Sequence, residues 1–240
     1  MSRRRWIADE VSGNRAFLFD RNAEHLARAL RVRVGQQFEV STGDAVRLGR
    51  VVHVADDRVE FELGERMAQK EPARITLLLA IFKFDRMEWA IEKATELGAS
   101  EIVPVIARRT DVHLASAAGK RVARWRRIAH EAAQQSRRVS PPEIATPLAL
   151  QSALAVESER RILLSESECG ITLKQAIDGN RRLEFGNSLA LAVGPEGGWT
   201  ADEIAAATVT GWTAASLGYT ILRAETAAIA ALAIASSELQ

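Results

Sequence analysis

The chain has 240 residues, 47% of them hydrophobic, and one cysteine, Cys169, which suits one large or two smaller domains and excludes an internal disulfide framework. Its net charge is +1, yet residues 1–138 carry 26 Lys/Arg against 19 Asp/Glu and residues 139–240 carry 6 against 12, so the front suits a polyanion partner. No apolar run approaches the ~20 residues of a membrane span, the basic start Met1 to Trp6 leads into no apolar segment of the secretory kind, and four scattered histidines with one cysteine show no metal-ligand spacing; the expectation is a cytoplasmic protein with neither membrane nor metal.

In chain order, residues 15–68 read as a small β-rich unit. Phe17 to Phe19, Gln37 to Val40, Val46 to Val54 and Val59 to Leu63 are short strand-like runs, separated by Gly35, Gly43 and Asp56-Asp57. A helix over Asn22 to Leu30 interrupts them, with Leu26, Ala29 and Leu30 as its apolar face. The polar stretch Glu65 to Pro72 is the expected linker, giving domains at 1–70 and 73–240.

Beyond it, strands and helices alternate, which argues for an α/β layer fold. Ile75 to Phe82 is a near-continuous apolar run, as a buried parallel strand would be. Asp85 to Leu97 reads as a helix with Asp85 as cap, Glu88 at its third position and Gly98 as its stop. Ile102 to Ile106 is the next strand, and Lys120 to Ser136 a long helix with Val122, Trp125, Ala129 and Ala132 inward. Ile162 to Leu164, Ser188 to Val193 and Ala214 to Leu217 are strands; helices near Thr172 to Asp178, Ala201 to Thr208 and Glu225 to Glu238 cover them.

Two turns carry the chemistry. The run Ser188 to Val193 ends in Gly194-Pro195-Glu196-Gly197-Gly198-Trp199, and Thr200 with Glu203 forms the signature of a capping box. A strand, a glycine turn and a helix start present backbone N–H groups to an anionic ligand. Leu217-Gly218-Tyr219-Thr220-Ile221-Leu222-Arg223-Ala224-Glu225-Thr226-Ala227 repeats the arrangement. Two such turns from neighbouring strands can enclose one small ligand.

Together these turns resemble the cofactor loops of SPOUT-class RNA methyltransferases, in particular the RsmE family, which methylates N3 of a uridine in 16S ribosomal RNA. The resemblance extends over nearly the whole chain. His25-Leu26, Leu30-Arg31 and Gly35 look like the family's amino-terminal PUA-like barrel; Lys83, Asp85-Arg86-Met87-Glu88, Lys93 to Gly98 and Ile102-Val103-Pro104 look like its first βα unit; Glu131-Ala132, Gln135-Ser136, Arg138 and Pro142-Glu143-Ile144 match a further block. Phe84, where glycine is expected, and Arg137, where a small residue is usual, depart from the pattern.

The resemblance implies an α/β chain: a small PUA-like RNA-binding β-barrel followed by a SPOUT domain with a carboxy-terminal trefoil knot. It implies S-adenosylmethionine as cofactor, a homodimer, and 16S rRNA, within the small ribosomal subunit, as partner. The expected cofactor residues are Val193, Gly194, Pro195, Glu196, Gly197 and Gly198, with Leu217, Gly218, Ile221 and Leu222 and, by analogy, Leu164, Ser165 and Glu166. Methyl transfer to uracil N3 requires removal of a proton and stabilisation of the resulting anion. Arg138 and Arg223 are the candidate stabilisers and Glu225 a candidate proton acceptor. Arg3, Arg4, Arg5, His25, Arg31, Arg108, Arg109, Arg124, Arg127, Arg137 and Arg138 form the expected RNA-binding set. Open alternatives are a SPOUT enzyme acting on another RNA or on ribose 2′-OH, and a non-catalytic RNA-binding protein. A nucleotide-phosphate enzyme is a third, against which the missing Gly-Lys-Ser/Thr sequence counts.

Overall fold

Short alternating strands at the front and continuous apolar strands behind build two different sheets. The computed structural model describes residues 5–68, 73–179 and 188–239. The chain divides into two units, Met1–Lys70 with Ala133–Pro141, and Glu71–Ala132 with Pro142–Gln240.

In the first unit, β1 (Arg5–Ile7), β2 (Glu10–Ser12), β3 (Arg15–Phe19), β4 (Gln37–Ser41), β5 (Val46–Val54) and β6 (Arg58–Arg66) form one six-stranded sheet in the order β1-β4-β5-β6-β3-β2. It is curled into half a barrel. The β1–β4 pair is parallel and the rest antiparallel. Two register shifts between β5 and β6 bend the sheet. At Gly49 a Cβ would stand 2.5 Å from Val40 Cγ2, so only glycine lets the curled strands pass this closely. The helix expected at Asn22 to Leu30 begins earlier, as α1 (Asp20–Glu24), and widens into a π turn at His25–Ala29. That widening changes its face: Leu26 is buried, but Ala29 is exposed. Leu18, Leu26, Val40, Val59 and Phe61 centre the core.

The second unit contains β7 (Arg74–Ala80), α2 (Phe84–Glu96), β8 (Glu101–Ile106), α3 (Val112–Ala118), α4 (Val122–Gln135), β9 (Glu143–Ile144), β10 (Leu148–Ala149) and α5 (Leu150–Ala153). The last three residues of α4 group with the first unit. There follow β11 (Arg160–Leu164), α6 (Leu173–Asp178), β12 (Ser188–Val193), α7 (Ala201–Val209), β13 (Thr213–Ala215) and α8 (Ala224–Glu238). The strands make a seven-stranded parallel sheet, β10-β8-β7-β12-β11-β13 with β9 beside β8.

Both faces of this sheet are covered. Leu77, Leu79, Leu189 and Leu191 pack with α2, α4, α6 and α8. The alternate residues Leu78, Ala80, Ala190 and Ala192 pack with α5, α7, Trp199 and Trp212. This is why β7 and β12 read as unbroken apolar runs. Helix α2 departs from expectation at its start: Lys83, not Asp85, is the N-cap residue, without a side-chain cap. Its end is as expected. Gly98 has φ +99°, its N–H donates to Thr95 O and that of Ala99 to Ala94 O, a Schellman stop. Phe84 lies against Trp125 with ring centroids 6.1 Å apart, and Arg121 stacks over Phe84.

Candidate active site

Neighbouring parallel strands place their carboxyl ends along one edge, where ligands of open α/β sheets bind. Here β12, β11 and β13 are adjacent. Beyond their ends lies a cavity of about 410 Å³, lined by Leu164–Ser167, Val193–Glu196, Gly198, Trp199, Ser216–Gly218, Thr220–Ala224, Ala227 and Arg86. That volume falls within the range of sites for small organic ligands.

Each wall has a local cause. Thr200 caps α7 and Glu203 closes the capping box, with reciprocal bonds of 3.3 and 2.8 Å. The other oxygen of Glu203 accepts from the Arg108 backbone N–H at 2.7 Å, tying the helix start to the loop after β8. Trp199 is buried and its Nε1–H donates to Leu164 O at 3.0 Å, joining the glycine turn to the end of β11. Gly194 lies against that indole: a Cβ there would stand 3.2 Å from it. Gly198 has φ +70°, and a Cβ would meet Glu166 Oε1 at 3.1 Å. Ser165 N–H donates to Ala215 O at 2.9 Å, so the third wall joins the second.

The loop from 217 to 222 differs from these. Among the described residues its backbone N–H and C=O groups make no hydrogen bond. Gly218 adopts φ +121° with open space where a Cβ would be, so its requirement is conformational rather than steric.

Of the thirteen expected cofactor residues, the structure gathers twelve on the cavity wall: Leu164, Ser165, Glu166, Val193, Gly194, Pro195, Glu196, Gly198, Leu217, Gly218, Ile221 and Leu222. Gly197 is not among them. Its carbonyl accepts from Arg109 Nη1 at 2.6 Å, and a Cβ would meet Arg109 Cδ at 3.3 Å. Arg223 lines the cavity at the N-cap of α8. Glu225 does not line it. It is buried at the second helical position rather than the expected first, with Oε1 3.6 Å from Arg86 Nη1 and Oε2 without a hydrogen-bond partner. Arg138 is also not a lining residue and belongs to the segment that groups with the first unit. Its Nε donates to Ser140 O at 3.3 Å, and burial pulls the guanidinium below the usual arginine range.

The model of the RNA methyltransferase domain matches residues 69–236. The ribosomal RNA small subunit methyltransferase E of Mycobacterium bovis is 36% identical over 220 residues, covering 87% of this chain and 80% of the relative. The chain belongs to the ribosomal RNA small subunit methyltransferase E family. The Aquifex aeolicus member is 30% identical, covering 95% and 97%. A crystal structure of the Neisseria gonorrhoeae family member bound to S-adenosyl methionine superposes with a TM-score of 0.82 at 31% identity, covering 98% of this chain and 97% of that one.

The basic residues expected to meet RNA are placed in several ways. Arg3 and Arg4 lie outside the described residues. Arg5 pairs with Glu39 at 3.0 Å and also donates to Arg137 O. His25 is exposed, its ring 5.9 Å from that of Trp6. Arg31 and Arg137 are exposed and adopt φ +49° and +58°. Arg109 is engaged by the glycine turn. Arg124 gives Nε and Nη2 to Glu88 at 2.6 and 2.7 Å, which raises its pKa. Arg108 and Arg127 are exposed.

Sequence reasoning missed Arg86 and Trp199 as wall residues. Trp199 was within reach, since it directly follows the glycine turn. Arg86 lies within the block Asp85-Arg86-Met87-Glu88, and nothing local marks it as a wall residue. Among the described residues no cluster of three or more His, Cys, Asp or Glu could hold a metal, and no helix is long and apolar enough to cross a membrane.

Proposed function

We propose that this chain uses S-adenosylmethionine to methylate N3 of a uridine in 16S ribosomal RNA. The observation that carries the reading is the free main chain of the 217–222 loop, which lines the cavity through Leu217, Gly218, Thr220, Ile221 and Leu222. An adenine edge offers one donor and ring acceptors, which unpaired backbone groups match without a base-specific side chain. The cavity residues therefore fit this cofactor: 217–222 and Leu164–Glu166 would hold the adenosine, and Gly194 and Gly198 keep the turn free of side chains at the remaining wall. When bound, the cofactor supplies an electrophilic methyl group on a sulfonium.

The chain's own residues then have two tasks. One is placement, since a methyl transfer needs the acceptor nitrogen in line and no covalent enzyme intermediate. The other is electrostatic: Arg223, exposed on the cavity wall, would stabilise charge developing on the uracil oxygens. Arg138 stands as a second candidate for that task. Its burial in the first unit suits ordering of the segment around it. Arg108 and Arg127 in the second unit, and separately Arg31 and His25 in the first, are exposed basic side chains for phosphate contacts. The family reading further implies a PUA-like first domain, a knotted carboxy-terminal chain, a homodimer, action on the small ribosomal subunit and a cytoplasmic location.

Nucleoside mass mapping of small-subunit rRNA, from strains with and without the gene, tests the reading. The expected result is loss of one N3-methyluridine and its return on complementation. Loss of a ribose-methylated nucleoside instead would move the chain to another branch of chemistry.

A further inference from the structure

Three arginines, two of them on the cavity wall, are held in three ways. Arg124, which does not line the cavity, gives one edge of its guanidinium, Nε and Nη2, to Glu88. Arg223 is exposed, and its side chain has no hydrogen-bond partner among the described residues. Arg86 is intermediate. It projects from the first turn of α2 onto the cavity wall, and Nη1 lies 3.5 Å from Glu196 Oε1 and 3.6 Å from Glu225 Oε1. Those two carboxylates come from the glycine turn and from the first turn of α8.

Charge pairing therefore falls on one nitrogen. Among the described residues the Arg86 side chain makes no hydrogen bond, so the remaining donors of its fork are unengaged. Glu225 is buried, its Oε2 has no partner, and Arg86 is the cation paired with it among the described residues. A buried carboxylate needs such a partner. The pairing thus places a half-buried guanidinium and leaves its donors for the cavity. A side chain already placed loses little freedom on engaging a ligand, unlike an exposed one.

Resting on the methyltransferase reading, we propose that Arg86 is a binding residue of this cavity that donates to an oxygen bearing negative charge, with Glu225 and Glu196 as the residues that position it. Two ligand groups have that chemistry: the cofactor's carboxylate and the uracil oxygens of the deprotonated base.

Calorimetric titration of Arg86→Gln with S-adenosylhomocysteine and with 5′-methylthioadenosine, which lacks the amino-acid arm, separates them. Wild-type protein that binds neither would overturn the cofactor reading itself. If the carboxylate is the partner, the variant loses about ten- to a hundredfold in affinity for the first ligand, the worth of a charged hydrogen bond, and nothing for the second. If the base is the partner, both affinities stay. The single-turnover rate at saturating cofactor then falls by a similar factor and recovers as pH rises. Equal weakening of both ligands, or no change in any of the three quantities, overturns the proposal.

The double variant Arg86→Gln with Glu225→Gln removes the stranded carboxylate as a cause. A loss that persists in the double variant supports a direct contact. Affinity and rate restored to wild type would mean that Arg86 only neutralises Glu225.

Discussion

Strand β6 of the first sheet alternates, with Val59, Phe61 and Leu63 buried between more exposed neighbours, whereas β7 and β12 of the second are buried almost throughout. The polar face of the first sheet carries charge that is engaged across strands, Arg15 with Glu60 at 2.9 Å and Arg50 with Glu62 at 2.7 Å, and along β6, Arg58 with Glu60 at 2.5 Å. The second sheet has no such face to decorate. Its cavity lies beyond the strand ends, where part of the wall is main chain without hydrogen-bond partners among the described residues. One sheet therefore presents a polar face and the other a row of backbone at its rim.

The largest expected effect comes from the covered sheet. Leu191→Ala, fully buried in β12, should cost about 2–5 kcal/mol in urea unfolding; a loss below 1 kcal/mol would mean the sheet is far looser than its burial. Next comes the rim. Arg223→Ala should lower single-turnover methylation by about 100-fold with little change in RNA affinity, and higher pH should restore part of it by deprotonating the base. An unchanged rate at neutral pH removes Arg223 from the chemistry. Trp199→Phe strands the Leu164 carbonyl and should cost about 1–3 kcal/mol, together with weaker cofactor binding by calorimetry. If stability falls and binding holds, the turn is shaped without its anchor.

Smaller effects concern exposed charge. Arg127→Ala should flatten the salt dependence of RNA binding by about one unit of slope. Arg124→Ala, whose fork is already on Glu88, should leave the slope unchanged. Equal slopes in the two variants would erase the distinction between engaged and free arginines. Arg50→Ala in the first sheet should leave the melting midpoint where it is, because exposed pairs contribute little.

The same contrast explains what was legible in the sequence. Ser188 to Val193 is readable because residues on both faces are buried, and its observed bounds are the expected ones. Thr200 and Glu203 are readable because a capping box acts over three residues. Helix α3 was not foreseen. Only Ala118 of its seven residues is buried, so it has no apolar stripe to betray it; its cap, Asp111, accepts from His113 and Leu114 N–H. The site was legible where glycine and strand ends define it. It was not legible where a side chain arrives from elsewhere in the chain. Arg86 meets Glu196 and Glu225, and Arg109 meets Gly197, only after the sheet has formed. No local spacing encodes such meetings.

The Arg109–Gly197 bond joins residues 88 apart in the chain, and α8 with its N-cap residue supplies Arg223, Ala224 and Ala227 to the cavity. Contacts of such long separation form late, because chain closure must precede the contacts that reward it. A ribosome synthesising this chain thus releases β7, β8 and their helices well before any of them can hold a nucleoside. The cavity wall is complete only when the final helix has docked, so cofactor affinity reports the completion of folding.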